Sequence, residues 1–163
     1  MRLILIAFIV SLALLIGASV GEATLIDLDD YILSTGSQTV TPNFAFADRN
    51  KTTGDYVALT SFGMDNQRTS VALTESNNLT ELNEKNLTER GFNPVKKPYP
   101  GFLKTNVTDD SVAYTGQVTN NLTLSITFAS YQEAINLLKD LTVISRADYQ
   151  KIKSDELTKT LGG

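Results

Sequence analysis

At 163 residues and a formal charge of −4, with neither Cys nor His, the chain excludes several chemistries at once. Ser-His-Asp and Cys-His nucleophiles, disulfides and the usual zinc sites cannot be built from it. Its acidity and its lack of a basic stripe argue against nucleic acid and anionic lipid headgroups as partners.

From Leu3 to Val20 runs an unbroken stretch of apolar and small residues without charge, 18 residues in all. That is about the shortest length that spans a bilayer and longer than most signal-peptide cores. Arg2 and the amino terminus precede it. Glu22, Asp27, Asp29 and Asp30 follow it, ahead of the next basic residue, Arg49. The charge asymmetry places the amino terminus in the cytoplasm and the rest outside. Residues 1–23 therefore read as a signal peptide or an N-terminal membrane anchor. Cleavage is acceptable after Gly21 or Ala23, where small residues cluster. Removing the segment takes away Arg2 and Glu22, one charge of each sign, so the remainder keeps −4. An export signal without any Cys points to a prokaryotic envelope. The protein is expected at the cell membrane with its domain outside the cytoplasm, or secreted after cleavage. If the helix is retained, residues 3–20 make the membrane a partner.

Residues 24–38 read as an acidic tether, with Leu25, Leu28 and Ile32 at loose helical spacing. Residues 39–163 read as a single extracytoplasmic domain of common size. TVTPNFAFA (39–47) predicts a strand that Pro42 demotes to a sheet edge. YVALTSF (56–62) and TSVALT (69–74) predict two more strands around a turn at 63–68. In the first of these, Tyr56, Ala58, Thr60 and Phe62 share one face and Val57, Leu59 and Ser61 the other. A helix is predicted over 78–89, with Asn78 and Glu81 as a capping box and Gly91 as its stop. Three prolines make 92–102 irregular, with a type II turn at Tyr99-Pro100-Gly101-Phe102. VAYTGQVT and LTLSITFA flank Asn120-Asn121, which predicts a type I′ hairpin. Leu122, Leu124, Ile126 and Phe128 alternate with Thr123, Ser125 and Thr127, so one face of that strand meets a core. Ser130 with Glu133 opens a helix whose apolar stripe is Tyr131, Ala134, Ile135, Leu138 and Leu141. A more exposed helix follows over 146–161. The fold class is α+β: an N-terminal apolar helix, then one small domain with an antiparallel sheet of about five strands packed by a C-terminal helix.

Five Asn-x-Thr sequons occur, at Asn50, Asn78, Asn86, Asn106 and Asn121. They are candidate glycosylation sites of an exported protein. Asp27, Asp29 and Asp30 lack the spacing of a calcium loop and read as solvated acid. Asp109-Asp110 reads as a turn before Ser111. The chain contains no Ser-x-x-Lys, no GxGxxG and no Walker loop, and neither a metal nor a cofactor is expected. Paired carboxylates for glycoside hydrolysis depend on spatial separation, which sequence does not show, and the sugar-stacking Trp that often accompanies them is absent. The stiff aromatic stretch with Phe92, Lys96, Lys97, Tyr99 and Phe102 is the candidate partner-binding loop. Its competing role is to cover one end of the sheet. The composite expectation is a non-catalytic envelope protein with a binding or structural role, toward an envelope protein or polysaccharide. The alternative is a secreted carboxylate-based hydrolase or a hydrolase inhibitor.

Overall fold

The computed structural model describes residues 23–64, 67–77 and 83–162. The apolar segment 3–20, the sequon at Asn78 and the capping box expected there lie outside the described residues. Among the described residues no helix is long and apolar enough to cross a membrane.

The elements are β1 (Leu25–Leu28), β2 (Tyr31–Ser34), β3 (Thr41–Arg49), β4 (Tyr56–Met64), β5 (Gln67–Glu75), α1 (Glu84–Glu89), β6 (Asn93–Val95), β7 (Gly101–Thr105), β8 (Val112–Thr119), β9 (Leu122–Phe128), α2 (Tyr131–Leu138), β10 (Thr142–Ser145) and α3 (Arg146–Leu161). Seven strands form one sheet in the order β3-β4-β5-β9-β8-β7-β6, and three form another in the order β1-β2-β10. Every ladder is antiparallel. The core joins the inner face of the large sheet (Tyr56, Ala58, Phe62, Leu73, Tyr114, Leu124, Ile126, Phe128) to Ile26, Leu28 and Leu33 of the small sheet and Ala134, Leu137 and Leu141 around α2. Ile32 and Ile144 pair across β2 and β10. Both are buried, as is Ile152, the one buried side chain of α3. With α3 lying against β2 and β10, the small sheet has a layer on each side.

Local chemistry explains most elements. β9 alternates buried Leu122, Leu124, Ile126 and Phe128 with Thr and Ser, the pattern of a strand with one face on a core. β3 ends the large sheet, as Pro42 demands, and its register with β4 shifts between Pro42 and Phe44. Ser130 caps α2 by accepting the Glu133 N–H, and Ser145 caps α3 by accepting the Asp148 N–H, each at 3.2 Å. Gly91, at φ 87°, ends α1. The Phe92 N–H bonds to Leu87 O at 2.9 Å and the Gly91 N–H to Thr88 O at 3.0 Å, a Schellman stop.

Several expectations are corrected. Among the described residues, the sheet of about five strands becomes ten strands in two sheets. Residues 24–38 are no tether: Leu28 faces Tyr31 across a two-residue turn with Asp29 at φ 65°, and the hairpin buries Ile26, Leu28, Ile32 and Leu33. Alternation with period two governs β1, while β2 is buried on both faces, and the loose helical spacing was incidental. The turn at 63–68 is shorter, because Gly63 pairs with Arg68 and Met64 with Gln67. α1 starts at Glu84 with Asn83 as its cap. The 92–102 stretch contributes β6 and β7, and Gly101 lacks positive φ, so no type II turn forms there. The β8–β9 hairpin turns at Asn120-Asn121, yet neither Asn has positive φ. A register shift between Gln117 and Thr119 accommodates the strand twist instead of a type I′ turn. On α2 the buried face is Glu133, Ala134 and Leu137, while Tyr131 and Ile135 are exposed and Leu138 is half-buried. Residues 142–145, which sequence left unassigned, close the small sheet as β10.

Candidate interaction surface

The seven-stranded sheet has a second face, turned away from the core. Reading one row across it, Phe46 opposes Leu59, Leu59 opposes Ala72, Ala72 opposes Ser125, and Ser125 opposes Thr115. The row changes in character along its length. At the β3–β4 end Phe44 and Phe46 are each 52% exposed, Val57 38% and Leu59 42%. Toward the middle the face turns to hydroxyls, with Ser70, Thr74, Ser125 and Thr127 all exposed. Thr115 and Ser125 bring their hydroxyl oxygens to 3.5 Å. Four apolar side chains clustered on a rigid sheet are a surface that gains from being covered.

Beyond the hydroxyl strip lies a cavity of about 300 Å³ beneath α1, lined by Leu87, Arg90, Phe92, Thr115, Ser125 and Thr127 among others. Phe92 forms its aromatic wall, with the Arg90 guanidinium 5.7 Å and the Lys104 ammonium 5.8 Å from the ring centre. That lining offers hydroxyls, a ring and a cation, and no carboxylate.

Charged groups converge at a different place. Arg49, the last residue of β3, donates to Asp30 at 2.6 Å and pairs with Glu75 at 2.9 Å. Its guanidinium also lies 5.0 Å from the centre of the Tyr56 ring. Tyr31 donates to the other oxygen of Glu75, and Tyr56 donates to the Leu28 carbonyl at 2.5 Å. Burial, above all, pushes the Tyr31 and Tyr56 phenols above their ordinary range, and for Tyr31 the bond to the Glu75 carboxylate adds to it. The hydrogen bond that Arg49 donates to Asp30 raises the pKa of its guanidinium. At the other side of the same hairpin, Arg146 reaches the Asp27 carboxylate and the Asp29 carbonyl. These groups satisfy one another and clamp the β1–β2 hairpin to the large sheet. The acidic run read as solvated is thus partly neutralised, by arginines that sequence spacing gives no reason to link to it. Among the described residues no group of three or more His, Cys, Asp or Glu could hold a metal ion.

The aromatic loop is divided. Phe102 is 9% exposed. Tyr99 is half-buried against the core, and its hydroxyl accepts the Val143 N–H at 2.9 Å. Burial raises its phenol pKa. Lys96 and Lys97 remain exposed, and Phe92 belongs to the cavity wall. Of the sequons, Asn50, Asn86, Asn106 and Asn121 are all exposed. Asp109 makes the expected turn, accepting the Ser111 N–H at 3.1 Å and its hydroxyl at 2.6 Å. Those bonds hold its carboxyl below the usual range.

The residues that sequence reasoning did not single out are Phe44, Phe46, Val57 and Leu59. Their alternation was visible, but both faces of 56–62 carry apolar residues, so the exposed one could not be chosen. No family model, no curated protein and no solved structure matches the chain.

Proposed function

We infer that this chain is a non-catalytic protein of the cell envelope, exported or membrane-anchored, that binds through the outer face of its large sheet. The observation that carries the reading is the exposed group Phe44, Phe46, Val57 and Leu59, displayed together on a hydrogen-bonded sheet. A preformed rigid surface loses little entropy when covered, which favours binding. The export half rests on sequence: the uncharged run 3–20, Arg2 before it and acid after it. The Thr24 hydroxyl accepts the Val40 N–H at 3.0 Å, which holds Thr24 beside the start of β3. Four exposed sequons suit a surface glycoprotein.

Two measurements test this. Fractionation with sequencing of the mature N-terminus should find the chain in membranes or outside the cell. It should start at Glu22 or Thr24 if cleaved and at Met1 if anchored. A soluble cytoplasmic chain with Met1 intact would refute the topology. Separately, the double change Phe44→Ser/Phe46→Ser should abolish capture of isolated envelope material while leaving the melting temperature unchanged. Unaltered capture would remove this face from the reading.

A further inference from the structure

The cavity of about 300 Å³ beneath α1 opens on the outer face of the large sheet, at the end away from Phe44 and Phe46. Two rows of the sheet make its floor. Lys104 opposes Ala113 and Ala113 opposes Thr127, while Phe102 opposes Thr115 and Thr115 opposes Ser125. Opposed residues of an antiparallel ladder share a face, so Lys104 rises from the same face as the three hydroxyls. The stop of α1 builds the wall. The Arg90, Gly91 and Phe92 N–H groups bond back to Asn86 O at 3.1 Å, Thr88 O at 3.0 Å and Leu87 O at 2.9 Å. The positive φ of Gly91 turns the chain there, and Arg90 and Phe92 both line the cavity. Those bonds also occupy the carbonyls of the helix end, which would otherwise repel an anion. Arg49 and Arg146 hold carboxylates. Among the described residues Arg90 and Lys104 hold none, and each lies against the Phe92 ring instead.

We propose that this cavity binds one acidic sugar unit, a uronate or a sugar phosphate. Its anionic group meets Arg90 and Lys104, its hydroxyls meet Thr115, Ser125 and Thr127, and its apolar ring face lies toward Leu87 and Phe92. The site is separate from the group of Phe44, Phe46, Val57 and Leu59 and stands or falls independently of it. Size selects a single ring, because about 300 Å³ is the lower end of small-molecule pockets. Charge selects an acid. The chain carries −4, yet no carboxylate lines this cavity and two cations flank its aromatic wall. The same lining gives an amine or a metal ion no counter-charge. The hydroxyls select a sugar. Ser and Thr each donate and accept, as sugar hydroxyls require, whereas a hydrocarbon would strip water from them and return no bond. A cation resting on an exposed ring is held less firmly than one donating to an oxyanion, so the acid draws both side chains to itself. A unit of about a dozen heavy atoms, at the low end of small-ligand efficiency, binds with a dissociation constant on the order of 1 mM.

The test is an NMR titration of isotope-labelled full-length chain in amine-oxide micelles, whose headgroups carry neither sugar nor phosphate. The probes are glucuronate, glucose-6-phosphate, glucose and inorganic phosphate. At least one acidic sugar should shift the amide signals of Phe92, Thr115, Ser125 and Thr127 saturably, and about tenfold more tightly than glucose or inorganic phosphate. The tighter of the two acidic sugars identifies the acid as carboxylate or phosphate. Arg90→Gln should weaken binding about tenfold, and Lys51→Gln, which removes the same charge at an exposed residue after β3, should leave it unchanged. Ser125→Ile fills the floor with a residue that strands favour and should abolish binding. If that variant loses its dispersed spectrum, Thr127→Val reports on the floor in its place, with a loss of about threefold or more. Glucose binding as tightly as the acidic sugars would overturn the proposal. So would inorganic phosphate matching them, which marks an adventitious ion only, or equal affinity in Arg90→Gln and the unaltered chain. No saturable shift from either acidic sugar at ~50 mM, far above the expected constant, would overturn it too.

Discussion

Two glycines and a tyrosine set the geometry between β7 and β8. Gly101 faces Gly116 across the ladder. A Cβ on Gly101 would lie 2.2 Å from the Thr115 carbonyl oxygen, and one on Gly116 would lie 2.0 Å from the Tyr114 hydroxyl. That hydroxyl accepts the Tyr99 N–H at 3.2 Å and donates to the Tyr99 carbonyl at 2.8 Å, fixing the loop to the sheet. Gly101→Ala pushes backbone against backbone and should cost about 1–3 kcal/mol, as overpacking does. Tyr114→Phe should cost about 1–2 kcal/mol by stranding both groups of Tyr99. Denaturant melts check both, and wild-type stability in Gly101→Ala would mean that the strands separate more easily than the contact implies. Arg49 is the other residue with wide reach. Arg49→Ala leaves Asp30 and the three-quarters-buried Glu75 without their cation and should cost about 1–3 kcal/mol. Arg49→Lys should restore only part of this, since a point charge cannot fork between two carboxylates. Full recovery by Lys would show that charge alone matters.

Among the elements, α2 is short and its orientation decides much of the core. Leu137 is 0% exposed and Ile135 is 43% exposed. Leu137→Asp should therefore cost on the order of 3 kcal/mol or more, by burying an unpaired carboxylate in place of apolar packing. Ile135→Asp should change stability by no more than about 0.5 kcal/mol. Similar losses for both would mean that the helix is rotated from the face described. Of the expected stripe, Ala134 and Leu141 are buried and Leu138 packs against the core, while Tyr131 and Ile135 are exposed because the buried face runs through Glu133 and Leu137 instead. β3 makes the opposite case. Pro42 marked it as an edge from sequence alone, and it is one.

For the whole molecule, the titrating phenols dictate behaviour in alkali. Burial is the largest cause holding Tyr31, Tyr56, Tyr99 and Tyr114 above their ordinary 10.0, with Tyr114 pushed up to about 12. Each folded-state value exceeds the unfolded one, so the native state binds these protons more tightly. Their contribution to stability is complete below about pH 10 and declines as pH rises toward 12 and beyond. Melting temperature followed against pH should fall over that interval, and part of the tyrosinate absorbance should appear only with unfolding. If these four tyrosines ionise at ordinary pH while the protein stays folded, the buried-phenol account fails.

Sequence by itself determined what local chemistry controls. The alternation in 122–128 fixed which side chains of β9 are buried, because period two leaves one choice when one face is polar. Pro42 placed β3 at an edge because it lacks a ladder donor. Ser130 and Gly91 marked helix ends because cap and stop geometry is local. Tertiary structure decided the rest. Residues 31–34 became the middle strand of a sheet because β10, more than a hundred residues later, pairs with them. Asp27 and Asp30 found Arg146 and Arg49 at separations that no motif spans. In 56–62 both faces are apolar, so only the covering of one by the small sheet and α2 left Val57 and Leu59 exposed beside Phe44 and Phe46. The candidate surface was illegible for that reason: it is defined by what the rest of the chain leaves uncovered, and that is settled by packing.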